Sequence, residues 1–154
     1  FEGLPHRCQV VAERGQVLWI DDSKATNVGA AARALEGMQR PVVWIAGGRD
    51  KGLDFEPLAE VVARRVQMAF RIGEAAPLLA HALAGRVKCE QVGTLERAVQ
   101  RAAECAQPGD VVLLAPACAS FDQFKSYEDR GDQFKKFVAA LSDTAGTKRN
   151  GGAG

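Results

Sequence analysis

Long apolar runs are missing from this 154-residue chain. No stretch approaches the ~18 residues a membrane-spanning helix needs, and none reads as a signal peptide. Cysteine is sparse and scattered: Cys8, Cys89, Cys105 and Cys118 form no C-x-x-C spacing and pair with neither His6 nor His81. That excludes the common zinc frameworks, so no metal site is expected, and it points to reduced thiols in the cytoplasm. An excess of one charge is lacking too, since 20 basic residues face 19 acidic ones. Neither nucleic acid nor an anionic membrane is therefore the expected partner, and insertion into a membrane is not expected. A P-loop and a G-x-G-x-x-G fingerprint are also absent around the Gly-Gly loop Gly47-Gly48.

What is present is ordinary globular composition, 47% hydrophobic and 25% charged, at a length that suits one domain with its own core. The domain is expected over residues 1–142. Glu2 to Pro5 reads as a linker entering it, and the glycine-rich residues 143–154 read as a disordered tail. A start at Phe1 suggests a piece of a longer chain. A monomer is the expected state.

Two β-rich runs, Gln9 to Glu13 and Gln16 to Ile20, flank Arg14-Gly15 and predict a hairpin. A helix follows with Asn27 as its N-cap and Val28, Ala31, Ala32, Leu35 and Met38 as its apolar stripe. Pro41 to Ala46 is a continuous apolar strand, the kind covered on both faces in parallel sheets. Phe55, Leu58, Ala59, Val62 and Val66 mark a second helix. Gln67 to Ile72 is a strand, and Ala76, Leu79, Ala80 and Leu83 outline a short helix. Val87 to Val92 is an edge strand, and a helix capped by Thr94 leads to the strand Asp110 to Ala115. A last helix carries Phe134, Phe137, Val138 and Leu141. The alternation predicts an α/β, Rossmann-like three-layer domain. Its sheet is mostly parallel, of about six strands plus an N-terminal hairpin or antiparallel strand.

In open α/β sheets ligands gather beyond the carboxyl ends of the strands. Three such ends carry unusual polar sequence: Asp22 to Asn27, Gly47 to Gly52, and Pro116 to Lys125. The first offers a cation, Lys24, with the hydroxyls of Ser23 and Thr26 and the carboxylates of Asp21 and Asp22, where a helix begins. The reading is a site for a small anionic molecule; a salt bridge from Lys24 to Asp21 or Asp22 is the alternative. In the second, the glycines permit close approach, and Lys51 is a point charge for a carboxylate or phosphate, or else part of a solvated turn. In the third, Ser120 and the following N–H groups could hold a carboxylate, with Phe121 and Tyr127 walling off an aliphatic part. Cys118 has no nearby histidine to activate it. Lys125, Glu128, Asp129 and Arg130 read as a solvated helical face, and His6 and Arg7 as surface residues at a domain junction.

The strings Asp22-Ser23-Lys24-Ala25-Thr26-Asn27, Pro116 to Lys125 and Glu128-x-Arg130-Gly131 resemble the C-terminal domain of the Mur ligases, specifically those that add D-glutamate to UDP-N-acetylmuramoyl-L-alanine in peptidoglycan synthesis. Leu4-Pro5-His6-Arg7 and Gly47-Gly48-x-x-Lys51 match in order, so the resemblance covers roughly residues 3 to 142. It implies that Lys24, Thr26, Ser120 and Phe121 bind the D-glutamate carboxylates, with Lys51 near the same ligand and Tyr127 at a position usually Phe. It further implies that Arg7 and Asp22 contact ATP when domains close, with His6, Ser23 and Asn27 in support. ATP and Mg2+ would be held mainly by a central domain, and the muramoyl peptide by an N-terminal one. Neither of those domains is matched by this sequence, so the chain alone is expected to be inactive. Ala115 and Ser126 depart from the family's usual Ser and Asn. Two other readings stay open: a stand-alone module binding a dicarboxylate or phosphate, and the equivalent domain of a sister muropeptide ligase.

Overall fold

A computed structural model describes residues 6–49, 54–120 and 123–141. Strands β1 (Gln9–Arg14) and β2 (Val17–Asp21) form the expected hairpin, pairing antiparallel with Arg14 opposite Val17. Four more strands follow in alternation with helices: α1 (Val28–Glu36), β3 (Val42–Gly47), α2 (Leu58–Arg65), β4 (Val66–Ile72), α3 (Ala76–Leu83), β5 (Lys88–Gly93), α4 (Leu95–Cys105), β6 (Val111–Leu114) and α5 (Tyr127–Ala139). One six-stranded sheet runs in the order β1-β2-β6-β3-β4-β5, parallel throughout except for β1. The antiparallel strand is thus one of the six, and β5 is the opposite edge.

Continuous apolar strands make sense because each feeds two cores. In β3, Val42, Trp44 and Ala46 pack with Leu35, Leu58 and Leu79 on one face, whereas Val43 and Ile45 pack with Leu95, Val99 and Phe134 on the other. β6 divides the same way, Val111 and Leu113 against Val112 and Leu114. Helices α1 to α3 therefore cover one face and α4 with α5 the other, giving three layers. Trp44, fully buried, satisfies its indole by donating to the Ala115 carbonyl at 2.8 Å. Caps fix the helix starts: the side chains of Asn27, Thr94 and Ser126 accept from the N–H groups of Ala30, Arg97 and Asp129. At the last of these starts the Ser126 hydroxyl supplies the capping oxygen.

Several boundaries differ from the sequence expectation: Met38, Phe55 and Leu141 lie just outside α1, α2 and α5, and Val66 changes element. Val66 continues the apolar period of α2, yet the helix ends at Arg65 and Val66 opens β4, paired with Val42. A buried β-branched residue satisfies either pattern, and here the ladder wins. No helix among the described residues is long and apolar enough to cross a membrane.

Candidate functional site

Because β2, β6 and β3 are neighbours, their carboxyl ends converge. The N–H of Asp22 donates to the Leu114 carbonyl at 2.8 Å and that of Gly47 to Pro116 at 2.9 Å. Ala117 donates to the Ala25 carbonyl and Arg49 to the Ala119 carbonyl, both at 2.9 Å. This closeness demands glycine in the second loop: a Cβ on Gly48 would lie 2.4 Å from the Ala119 carbonyl oxygen. Ala117 adopts φ +64, a left-handed conformation that a non-glycine residue holds only under constraint.

Beyond the first loop opens a cavity of about 620 Å³. Arg7, Asp22, Lys24, Thr26, Asn27 and Tyr127 line it, together with Cys8, Arg33 and three alanines. Lys24 does not take the salt-bridge alternative. Its ammonium donates to the Tyr127 phenol oxygen at 3.1 Å and lies 4.8 Å from that ring's centroid. Asp22 accepts from the Cys8 N–H at 3.1 Å. Burial pushes the Asp22 carboxyl up to about 6, with the neighbouring Asp21 adding to the rise. Burial and then Asp22 push the Cys8 thiol up to about 11, which leaves it a poor nucleophile. Asn27 is committed to capping α1, and the N–H of Thr26 turns back to the Lys24 carbonyl at 2.8 Å.

Two expectations fail. His6 is not a surface residue: it is 8% exposed, with Nδ1 2.7 Å from Asp21 Oδ2, and its carbonyl accepts from the Lys24 N–H at 2.9 Å. Its ring packs edge-on to Tyr127. Arg130 is not on a solvated face either, being fully buried. Its Nε donates to Ser23 Oγ at 2.9 Å, Nη2 to the Ser23 carbonyl at 2.8 Å and Nη1 to the Cys118 carbonyl at 3.0 Å. The signal was available: Arg130, Phe134 and Val138 are spaced i, i+4, i+8, and all three are buried. Glu128 and Lys125 are exposed as expected.

Ser23 is buried, its N–H donating to Asp21 Oδ1 and its hydroxyl to the Tyr127 carbonyl. Ser120 is 2% exposed and sits on the same rim, but it is not among the cavity's described lining; its carbonyl accepts from Gln123 and Phe124 N–H groups. Lys51 and Phe121 lie outside the described residues. Cavity residues that sequence reasoning did not single out include Arg33, whose Nη1 would lie 3.5 Å from a Cβ on Gly29, reaching back toward the start of α1. No group of three His, Cys, Asp or Glu side chains suited to a metal occurs among the described residues.

The chain is 54% identical over 145 residues to the UDP-N-acetylmuramoylalanine–D-glutamate ligase of Hahella chejuensis, covering 92% of this chain and 32% of the relative. Against the protein of the same name from Pseudomonas aeruginosa it is 51% identical over 146 residues, covering 92% and 33%. It thus spans about a third of the length of these relatives. Among solved structures it resembles a Yersinia pestis bifunctional folylpolyglutamate synthase/dihydrofolate synthase complexed with AMPPNP and Mn ion. The TM-score there is 0.61 at 26% identity, covering 90% of this chain and 32% of that one. A Thermotoga maritima UDP-N-acetylmuramate-alanine ligase shares the fold at TM-score 0.62 and 13% identity, covering 92% and 32%. The family described as Mur ligase, glutamate ligase domain, matches residues 6–118. With nearly three-quarters of its length matched and the three strand-end loops meeting on one rim, this chain belongs to the Mur ligase family as its glutamate ligase domain.

Proposed function

We propose that this chain is the acceptor domain of a cytoplasmic ATP-dependent ligase that joins D-glutamate to UDP-N-acetylmuramoyl-L-alanine in peptidoglycan synthesis. The observation that carries the reading is the cavity where Lys24 and Thr26 stand beside Arg7 and Asp22, in a chain about half identical to proteins named for that reaction. Lys24 supplies a cation and Thr26 a hydroxyl for one carboxylate of a diacid. Ser120, with Phe121, serves the other; Lys51 adds charge, and Tyr127 closes the aliphatic side.

Arg7 and Asp22 line the same cavity, an arrangement that fits one edge of a nucleotide. No group of three His, Cys, Asp or Glu suited to a metal occurs among the described residues; in this reading Mg2+ and the phosphate-binding apparatus are assigned to other parts of the enzyme. ATP supplies the phosphoryl group that activates the muramoyl-peptide carboxylate as an acyl phosphate. This domain's task is to hold the D-glutamate amine at the attack distance and, on closure, to exclude water. The chain alone, by this reading, binds D-glutamate weakly and releases no phosphate.

Steady-state kinetics of the full-length enzyme test the assignment. Lys24→Ala raises the KM for D-glutamate by about tenfold or more and lowers kcat/KM in proportion, as expected for a lost charge-assisted contact. An unchanged D-glutamate dependence removes Lys24 from the site. Phosphate release by the 154-residue chain with both substrates and ATP refutes the division of labour.

A further inference from the structure

Resting on the D-glutamate reading, we propose that Arg130 is the positioning residue of the acceptor site, a buried guanidinium that holds the Lys24 turn and the Ser120 turn at a fixed separation. Its fork reaches both. Two N–H groups engage the carbonyl and hydroxyl of Ser23, one residue before Lys24, and a third engages the carbonyl of Cys118, two residues before Ser120. The second loop closes over the same group, since a Cβ on Gly48 would lie 3.3 Å from Nη1. Ser23 passes the constraint on: its hydroxyl accepts from Arg130 and donates at 2.7 Å to the carbonyl of Tyr127, whose phenol holds the Lys24 ammonium.

Arg130 itself is fully buried and is not part of the cavity lining, so it acts through the loops. Burying a guanidinium is costly, and a fold that needed only to tie two carbonyls could do so with a neutral donor. What arginine adds is a planar fork of five N–H groups at fixed angles, able to set the spacing of separate acceptors. That spacing is what two carboxylates of one small acid require, because a shift of about an ångström in a positioning group is enough to lose much of a rate. Lysine, a point charge on a flexible stem, cannot reproduce it.

The test uses the full-length enzyme with Arg130→Lys and, separately, Ser23→Ala. The KM for D-glutamate is measured at saturating ATP, the KM for ATP at saturating D-glutamate, and the melting temperature alongside. Arg130→Lys raises the KM for D-glutamate by about tenfold or more and Ser23→Ala by about threefold, while the KM for ATP stays within about twofold. A lower melting temperature with an unchanged D-glutamate KM means that Arg130 is only a staple of the fold, and overturns the proposal. Should Arg130→Lys not yield soluble enzyme, Ser23→Ala decides by the same KM criterion. A wild-type rate independent of D-glutamate defeats the substrate reading, and this inference with it. Saturable wild-type behaviour with unchanged variants defeats this inference alone.

Discussion

The rim where β2, β6 and β3 end and the flank where β5 meets α4 treat charge in opposite ways. At the rim, Asp21, Ser23 and Arg130 are all fully buried and Asp22 and His6 nearly so. On the flank, Arg101 forks onto Glu90 at 2.8 and 2.9 Å and also pairs with Glu104, with side chains 25%, 37% and 58% exposed respectively. Burying ionisable groups costs free energy that a surface pair never incurs. A fold carries that cost where the arrangement does something else, and here the costly arrangement lies under the candidate site. The flank holds more visible salt bridges and less information about function.

The sharpest way to break the contrast is at Gly131. Ordinarily a glycine-to-alanine change within a helix stabilises it by about 0.5–1 kcal/mol. At this position a Cβ would lie 2.2 Å from His6 Nδ1 and 2.7 Å from Asp21 Oδ2, inside the pair that anchors the chain to β2. Overpacking of that kind costs about 1–3 kcal/mol, so it outweighs the helix gain and reverses the sign. Gly131→Ala is therefore expected to be less stable in urea unfolding. A more stable variant would mean that the His6–Asp21 contact is not tightly seated on α5.

The second test is electrostatic. Burial lifts the Asp22 carboxyl from 3.8 to about 6, so between those values the folded chain keeps a proton that the unfolded chain has released. Stability contributed by this group is greatest below about pH 4, falls as pH rises to about 6, and is flat above. Asp22→Asn has no such proton. Its urea midpoint, taken relative to wild type, is expected to climb across that window and hold at neutral pH. A difference that stays constant with pH would show that folding does not take the Asp22 carboxyl out of water.

These particular residues also show why some of the molecule is legible in its sequence. The apolar runs Val42 to Ala46 and Val111 to Leu114 announce strands because a two-sided core leaves no alternate position polar. Asn27 and Thr94 announce helix starts because capping is local chemistry. Local pattern also places three loops on one rim, since parallel strands share an end. Arg130 escapes notice because Glu128 and Asp129 beside it make the segment look solvated; its acceptors are 12 and 107 residues away. His6 is hidden for the same reason, its partner lying 15 residues on. Val66 is misassigned because a helical period and a buried strand both ask for an apolar residue there. Contacts between distant segments decide all three; spacing with Phe134 and Val138 places Arg130 on the buried face of α5 but does not say what it binds there.

The smallest effect belongs to the flank, and its pH dependence has the opposite sign. Arg101 holds the Glu90 carboxyl below its ordinary value of 4.5 by hydrogen bonding and then by charge. Here the unfolded chain is the one that binds the extra proton as pH drops. Whatever the pair contributes is therefore present at neutral pH and lost as pH falls below about 4.5. Glu90→Gln is expected to lower the urea midpoint only slightly at neutral pH. The difference should close in acid, and also in about 1 M salt, where the screening length shrinks to about 3 Å. Asp22→Asn should keep most of its effect in that salt, because a desolvated carboxylate is screened far less than an exposed pair. If the two variants respond alike to salt, burial does not separate rim from flank; if they part, the rim is where charge has been taken out of water.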